Sequence, residues 1–117
     1  MGRSFEKVSK SIDNSLCYGL YNKQNKQIGF ARVVTDYAVF AWILDLFILE
    51  EYQGQGGGKM LMKAIMKHPD LQDLHRWGLG TRDAHGLYKQ YGFEELLRPD
   101  VLMEIVNRRD KDKIKAY

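Results

Sequence analysis

The chain has 117 residues, 44% of them hydrophobic and 28% charged, with a formal net charge of +3. That length supports one core and one domain, 1–117, and that composition belongs to a globular protein, not a disordered one. The mild positive charge suits an anionic ligand and is too weak to point to nucleic acid.

Taken in chain order, Ser4 to Asn14 alternates charged and apolar residues at helical spacing. Phe5, Val8 and Ile12 fall on one side, and Ser4 is placed to cap the start. Leu16 to Tyr21 and Gln27 to Val34 read as strands, joined by a hairpin loop at Asn22 to Lys26. Asp36-Tyr37 marks the next turn. Ala38 to Leu49 reads as a long strand, apolar on both faces and therefore central. Gly56 to Lys67 reads as a helix, stopped by His68-Pro69 because proline disfavours helix in the residue before it. Leu74 to Gly80 is the next strand. Asp83 to Gln90 is a short helix with Gly92 as its terminal glycine. Phe93 to Leu97 and Val101 to Val106 are expected as the last strands, around Arg98-Pro99-Asp100. Asn107 to Lys115 is a charged tail, expected to fray. This order predicts an α+β fold: a mixed, mostly antiparallel central sheet flanked by helices.

The longest apolar run, Tyr37 to Leu44, is far short of the roughly 20 residues that cross a bilayer. No secretory signal opens the chain, and Cys17 is its one cysteine. An internal disulfide is thereby excluded, and a cytoplasmic location is expected with no membrane partner. His68, His75 and His85 lack metal-ligand spacing, so no metal is expected.

The segment Gln53-Gly54-Gln55-Gly56-Gly57-Gly58-Lys59 follows the long strand and opens a helix. Glycines bring backbone N–H groups within reach of a ligand, and a helix start adds unpaired N–H groups and partial positive charge. Together they make a socket for phosphate. A nucleoside-triphosphate loop, Gly-x-x-x-x-Gly-Lys-Ser/Thr, would need glycine at Gln53 and a hydroxyl at Met60. A dinucleotide loop, Gly-x-Gly-x-x-Gly, would need glycine at Lys59. The pattern Gln/Arg-x-x-Gly-x-Gly/Ala is met by Gln53, Gly56 and Gly58.

That third pattern resembles the acyl-coenzyme A loop of the GCN5-related N-acetyltransferases, the GNAT family. Asp45-Leu46-Phe47-Ile48 resembles the family's strand before the loop. Ala84-His85-Gly86-Leu87-Tyr88-Lys89-Gln90-Tyr91-Gly92-Phe93 resembles its late helix and turn, Ala-x-x-Leu-Tyr-x-x-x-Gly-Phe. The likeness runs from about Leu16 to Val106. It implies the acyl-CoA N-acyltransferase fold, here without the usual first strand and helix. A shortened chain start, or a second subunit covering the exposed surface, would account for that difference. A homodimer is expected on the second ground.

The resemblance implies transfer of an acetyl group from acetyl-CoA to a primary amine, carried on a small molecule or a peptide. Gln53, Gly54, Gln55, Gly56, Gly57, Gly58 and Lys59 would hold the cofactor. A strand bulge would expose a backbone N–H near Ile48 to the thioester carbonyl. Tyr88 falls at the general-acid position, or else packs in a helix face with Tyr91. Asp45 interrupts an apolar strand: either it is a general base, directly or through water, or it is a structural acceptor for backbone or for an arginine such as Arg32. The alternative to an enzyme is a degenerate module that binds acyl-CoA and regulates another protein.

Overall fold

The computed structural model describes residues 4–107, so the expected tail beyond Asn107 lies outside the described residues. Helix α1 (Phe5–Asp13) begins at Ser4, whose hydroxyl accepts the Lys7 N–H at 3.2 Å. That bond satisfies one of the N–H groups the first turn leaves over. No residue of α1 is buried, although Phe5, Val8 and Ile12 are large and apolar.

Strands β1 (Leu16–Tyr21) and β2 (Gln27–Thr35) form an antiparallel hairpin. Asn22 builds its turn, accepting the N–H groups of Gln24 and Lys26 on one side-chain oxygen at 2.9 and 3.0 Å. Asp36 builds the next turn. Its carboxylate accepts from Val39, Ala38 and Phe40 at 2.8, 2.9 and 3.1 Å, and these bonds hold its pKa below the usual value. Strand β3 (Phe40–Ile48) follows, antiparallel to β2.

Helix α2 (Gly57–Lys67) carries the chain across to β4 (Arg76–Leu79), which runs parallel to β3. A parallel pair requires such a crossover, because a tight hairpin can only reverse the chain. The sheet order is β1-β2-β3-β4, which makes β3 an inner strand as its two-faced apolar pattern predicts. Helix α2 packs on β1, β2 and β3. Its Leu61, Met62 and Ile65 are buried with Ala31, Val33, Ala41 and Ile43 of the sheet. Each large side chain so buried contributes about 1.5–3 kcal/mol. Gly78 lies beside Trp42 in the parallel register, and a Cβ there would run into the indole ring.

The β2–β3 ladder slips by one residue. Arg32 faces Leu44 and Phe30 faces Phe47, so Asp45 and Leu46 together oppose Ala31. This is a β-bulge, and Asp45 takes φ 56° within it. Aspartate is among the few residues that tolerate the left-handed region.

From Thr81 onward the chain forms a second compact unit. Helix α3 (His85–Lys89) closes on Gly92, at φ 95°. The Gly92 N–H donates to the Lys89 carbonyl at 3.2 Å and the Phe93 N–H to the Tyr88 carbonyl at 3.3 Å. The Tyr88 and Phe93 rings meet edge to face at 6.0 Å. This paired closure needs a left-handed residue, with an apolar contact across it, which explains the spacing Tyr-x-x-x-Gly-Phe.

The strands expected at 93–97 and 101–106 do not form. That stretch is irregular apart from a 3-10 turn at Pro99–Val101. Leu97, Met103 and Ile105 are 86%, 97% and 86% exposed. Apolar alternation alone cannot make a strand, because the ladder needs a neighbour's N–H and C=O groups.

Candidate active site

The loop after β3 is set by backbone geometry. The Leu49 N–H donates to the Ile28 carbonyl at 2.8 Å, and a 3-10 turn at Glu50–Tyr52 then leads out of the sheet. The Gln53 side chain turns back and donates through Nε2 to the Ile48 carbonyl at 2.9 Å. Gln53 thus fastens the loop to the end of the strand. Gly54 and Gly56 take φ 81° and 86°, a region that side chains with a Cβ rarely adopt. Nothing lies within 4 Å of where a Cβ on either would sit.

Gly57 is glycine for a different reason. Its Cβ would come within 2.9 Å of Ile48 Cδ1 and 3.0 Å of Leu20 Cδ2. The start of α2 is therefore seated directly on the sheet. Gly56 is its cap, with no side-chain bond, and the Gly56 carbonyl accepts the Met60 N–H at 3.0 Å. The N–H groups of Gly57, Gly58 and Lys59 occupy the first turn, where no intrahelical acceptor exists. Open space over Gly54 and Gly56, the first-turn N–H groups and a lysine in that turn fit a phosphate ligand.

The bulge forms a second element of the site. It lies at Asp45–Leu46, upstream of Ile48, where the resemblance implies an available N–H. Asp45 accepts from Arg32 Nε at 3.0 Å. Arg32 is 7% exposed, whereas a third of the Asp45 side chain, 34%, is open. Arg32 Nη1 also donates to Ser15 Oγ at 3.1 Å. A groove of about 890 Å³ runs beside this pair. Its walls include Val8, Ser11 and Ile12 of α1, and Phe30 and Phe47 of the sheet. Arg32 is the arginine that the sequence offers as a partner for Asp45. Neither the place of the bulge at Asp45–Leu46 nor the role of Ser15 follows from the sequence pattern. The signal for the bulge was an aspartate inside an apolar strand, since aspartate also suits positive φ.

Cys17 pairs with Arg32 across the β1–β2 ladder. Burial raises its pKa, with Arg32 lowering it and Asp45 raising it, so it is a protonated thiol suited to packing. Among the described residues, no three His, Cys, Asp or Glu side chains gather as a metal site. None of the helices described is long and apolar enough to cross a membrane.

The second unit carries Tyr88, which is buried. Burial first, and then the Asp83 charge, pushes its phenol above the usual 10.0. It is therefore a neutral O–H donor through the physiological range. His85 opens the same helix.

A mixed sheet whose inner strand runs through a glycine loop into a helix defines an α+β domain with a helix start shaped to receive phosphate. The model of the acetyltransferase (GNAT) domain matches residues 13–95, and the chain belongs to that family. An uncharacterized N-acetyltransferase, ycf52, of Gracilaria tenuistipitata var. liui is 40% identical over 96 residues, 78% of this chain and 53% of that protein. GCN5-related N-acetyltransferase 2, chloroplastic, of Arabidopsis thaliana is 34% identical over 77 residues, 65% of this chain and 30% of that protein. The chain thus spans about half the length, or less, of these curated relatives. A GNAT-family protein of Xanthomonas campestris pv. campestris superposes with a TM-score of 0.83 at 50% identity, over 87% of this chain and 71% of that one. The fold is also that of a GNAT-family acetyltransferase of Elizabethkingia anophelis with acetyl-CoA bound, at TM-score 0.61 and 23% identity, over 94% of this chain and 69% of that one.

Proposed function

We propose that this chain catalyses transfer of an acetyl group from acetyl-CoA to a primary amine by direct attack. The observation that carries the reading is the socket after β3, with left-handed Gly54 and Gly56 and with Gly57 seated against Ile48 and Leu20. Gly56 to Lys59 would receive the pyrophosphate through backbone N–H groups, with Gln53 holding the loop and Gln55 at its rim. The bulged backbone of Asp45–Leu46 would donate to the carbonyl oxygen as charge develops there. Asp45, a third of it open beside the groove, would take the ammonium proton directly or through water. Tyr88, held neutral, would give its proton to the leaving thiolate, whose conjugate acid has a pKa of about 8.5. The reaction calls on no metal.

The acceptor is a small-molecule or peptide amine. The exposed apolar side chains Phe5, Val8, Ile12 and Phe47 support a homodimer, and the lone thiol supports a cytoplasmic location. Release of free thiol from acetyl-CoA, measured across a panel of primary amines, tests the reading. Amine-dependent release is expected. Binding of acetyl-CoA without release on any amine would make the chain a binding module instead.

A further inference from the structure

We infer that Arg32 is a positioning residue, which holds the bulge of β3 in place by tying Asp45 to Ser15. The inference rests on the acetyl-transfer reading, in which the bulge supplies the N–H that polarises the carbonyl. A bulge interrupts the ladder, so the sheet alone does not fix the direction of its backbone groups. Asp45 is moreover held at φ 56°, which a strand does not otherwise impose. Something must hold this residue, and Arg32 reaches its side chain directly.

Arg32 pairs with Leu44, immediately before the bulge. Its guanidinium reaches both ways: Nε donates to Asp45 Oδ2 at 3.0 Å and Nη1 donates to Ser15 Oγ at 3.1 Å. Ser15 is anchored in turn. Its hydroxyl donates to the Ser11 carbonyl at 2.7 Å and its N–H to the Ile12 carbonyl at 3.3 Å. Ser11 and Ile12 belong to α1 and line the groove, as do Arg32 and Asp45. One side chain therefore joins the floor of the groove to its helical wall. A planar fork with five donors can make both contacts at fixed angles, and a lysine ammonium cannot.

The test follows backbone amide resonances of the full chain, in wild type and in Arg32→Met, Arg32→Lys and Ser15→Ala. In wild type, acetyl-CoA and CoA should shift Gly56 to Lys59 alike, while only acetyl-CoA shifts Asp45 and Leu46. In Arg32→Met the loop shifts should remain and the acetyl-dependent shift at the bulge should vanish. Arg32→Lys and Ser15→Ala should each weaken it, and they serve if Arg32→Met does not fold. A wild-type acetyl-dependent shift in these variants overturns the inference. If neither probe moves the loop in wild type, the acetyl-transfer reading fails, and the brace is then read without ligand. Amide exchange at Asp45 and Leu46 should be faster in the variants by about tenfold or more, as local opening becomes easier. Unchanged exchange there rejects the brace.

Discussion

Tyr88 joins two kinds of consequence in one hydroxyl. Its raised pKa means that the folded chain holds the phenol proton more tightly than the unfolded chain does. The resulting stability is fully present below about pH 10 and is lost as pH rises through the folded value. Melting curves taken from neutral to strongly alkaline pH should show this loss, and Tyr88→Phe should reduce it. The same variant should lower kcat by roughly 10²–10⁴-fold, with acetyl-CoA affinity nearly unchanged. A Tyr88→Phe enzyme with wild-type turnover would leave Tyr88 as packing for Phe93. Asp45→Asn should slow turnover too, and higher pH should restore part of it because more of the amine is then neutral. Tyr18 is a contrasting case, since its hydroxyl is buried and finds no hydrogen-bond partner among the described residues. Tyr18→Phe removes that unmet donor, so unfolding free energy should stay level or rise by up to about 1 kcal/mol.

At the scale of elements, three glycines separate room from conformation. A Cβ at Gly56 meets no neighbour within 4 Å, yet in Gly56→Val φ 86° is costly for a β-branched residue, by about 1–3 kcal/mol. The substitution should also abolish acetyl-CoA binding, which calorimetry would read. Gly57→Ala meets only the far ends of the Ile48 and Leu20 side chains, which can swing aside, so denaturant melts should show a smaller loss than at Gly78. Gly78→Ala must displace the rigid Trp42 ring and should destabilise by about 1–3 kcal/mol. The sequence made the caps, turns and helical periods legible. Ser4, Asn22, Asp36 and Gly92 act locally, so their chemistry can be read without the fold. The place of the bulge, at Asp45–Leu46 and not nearer Ile48, was hidden because β3 is apolar on both faces, which conceals a change of alternation. The two late strands were overread because their pairing depends on a partner that local pattern does not specify. Among site residues, the glycine loop was legible as a continuous motif, whereas the Ser15–Arg32–Asp45 chain joins three separate segments.

For the whole molecule, ligand binding and stability are linked. A ligand at about 100 times its Kd adds roughly 2.7 kcal/mol. Acetyl-CoA at millimolar concentration should therefore raise Tm clearly, and an unmoved Tm would reject the loop assignment. Light scattering at high micromolar protein should give the mass of a dimer, and a clean monomer mass would reject the homodimer.

The bulge also fixes how the gene can change. Before it, Ala41 and Ile43 are buried on one face of β3; beyond it, Ile48 contacts the Gly57 seat while Phe47 pairs with Phe30. Asp45 and Leu46 together shift the alternation by one place. An in-frame loss of either codon would close the bulge into a regular strand, in which Phe47 and Ile48 keep the faces they now occupy. In a library of single-codon deletions, loss of the Leu46 codon, which leaves Asp45 for Arg32, should therefore spare the fold and remove the acetyl transfer that depends on the bulged backbone.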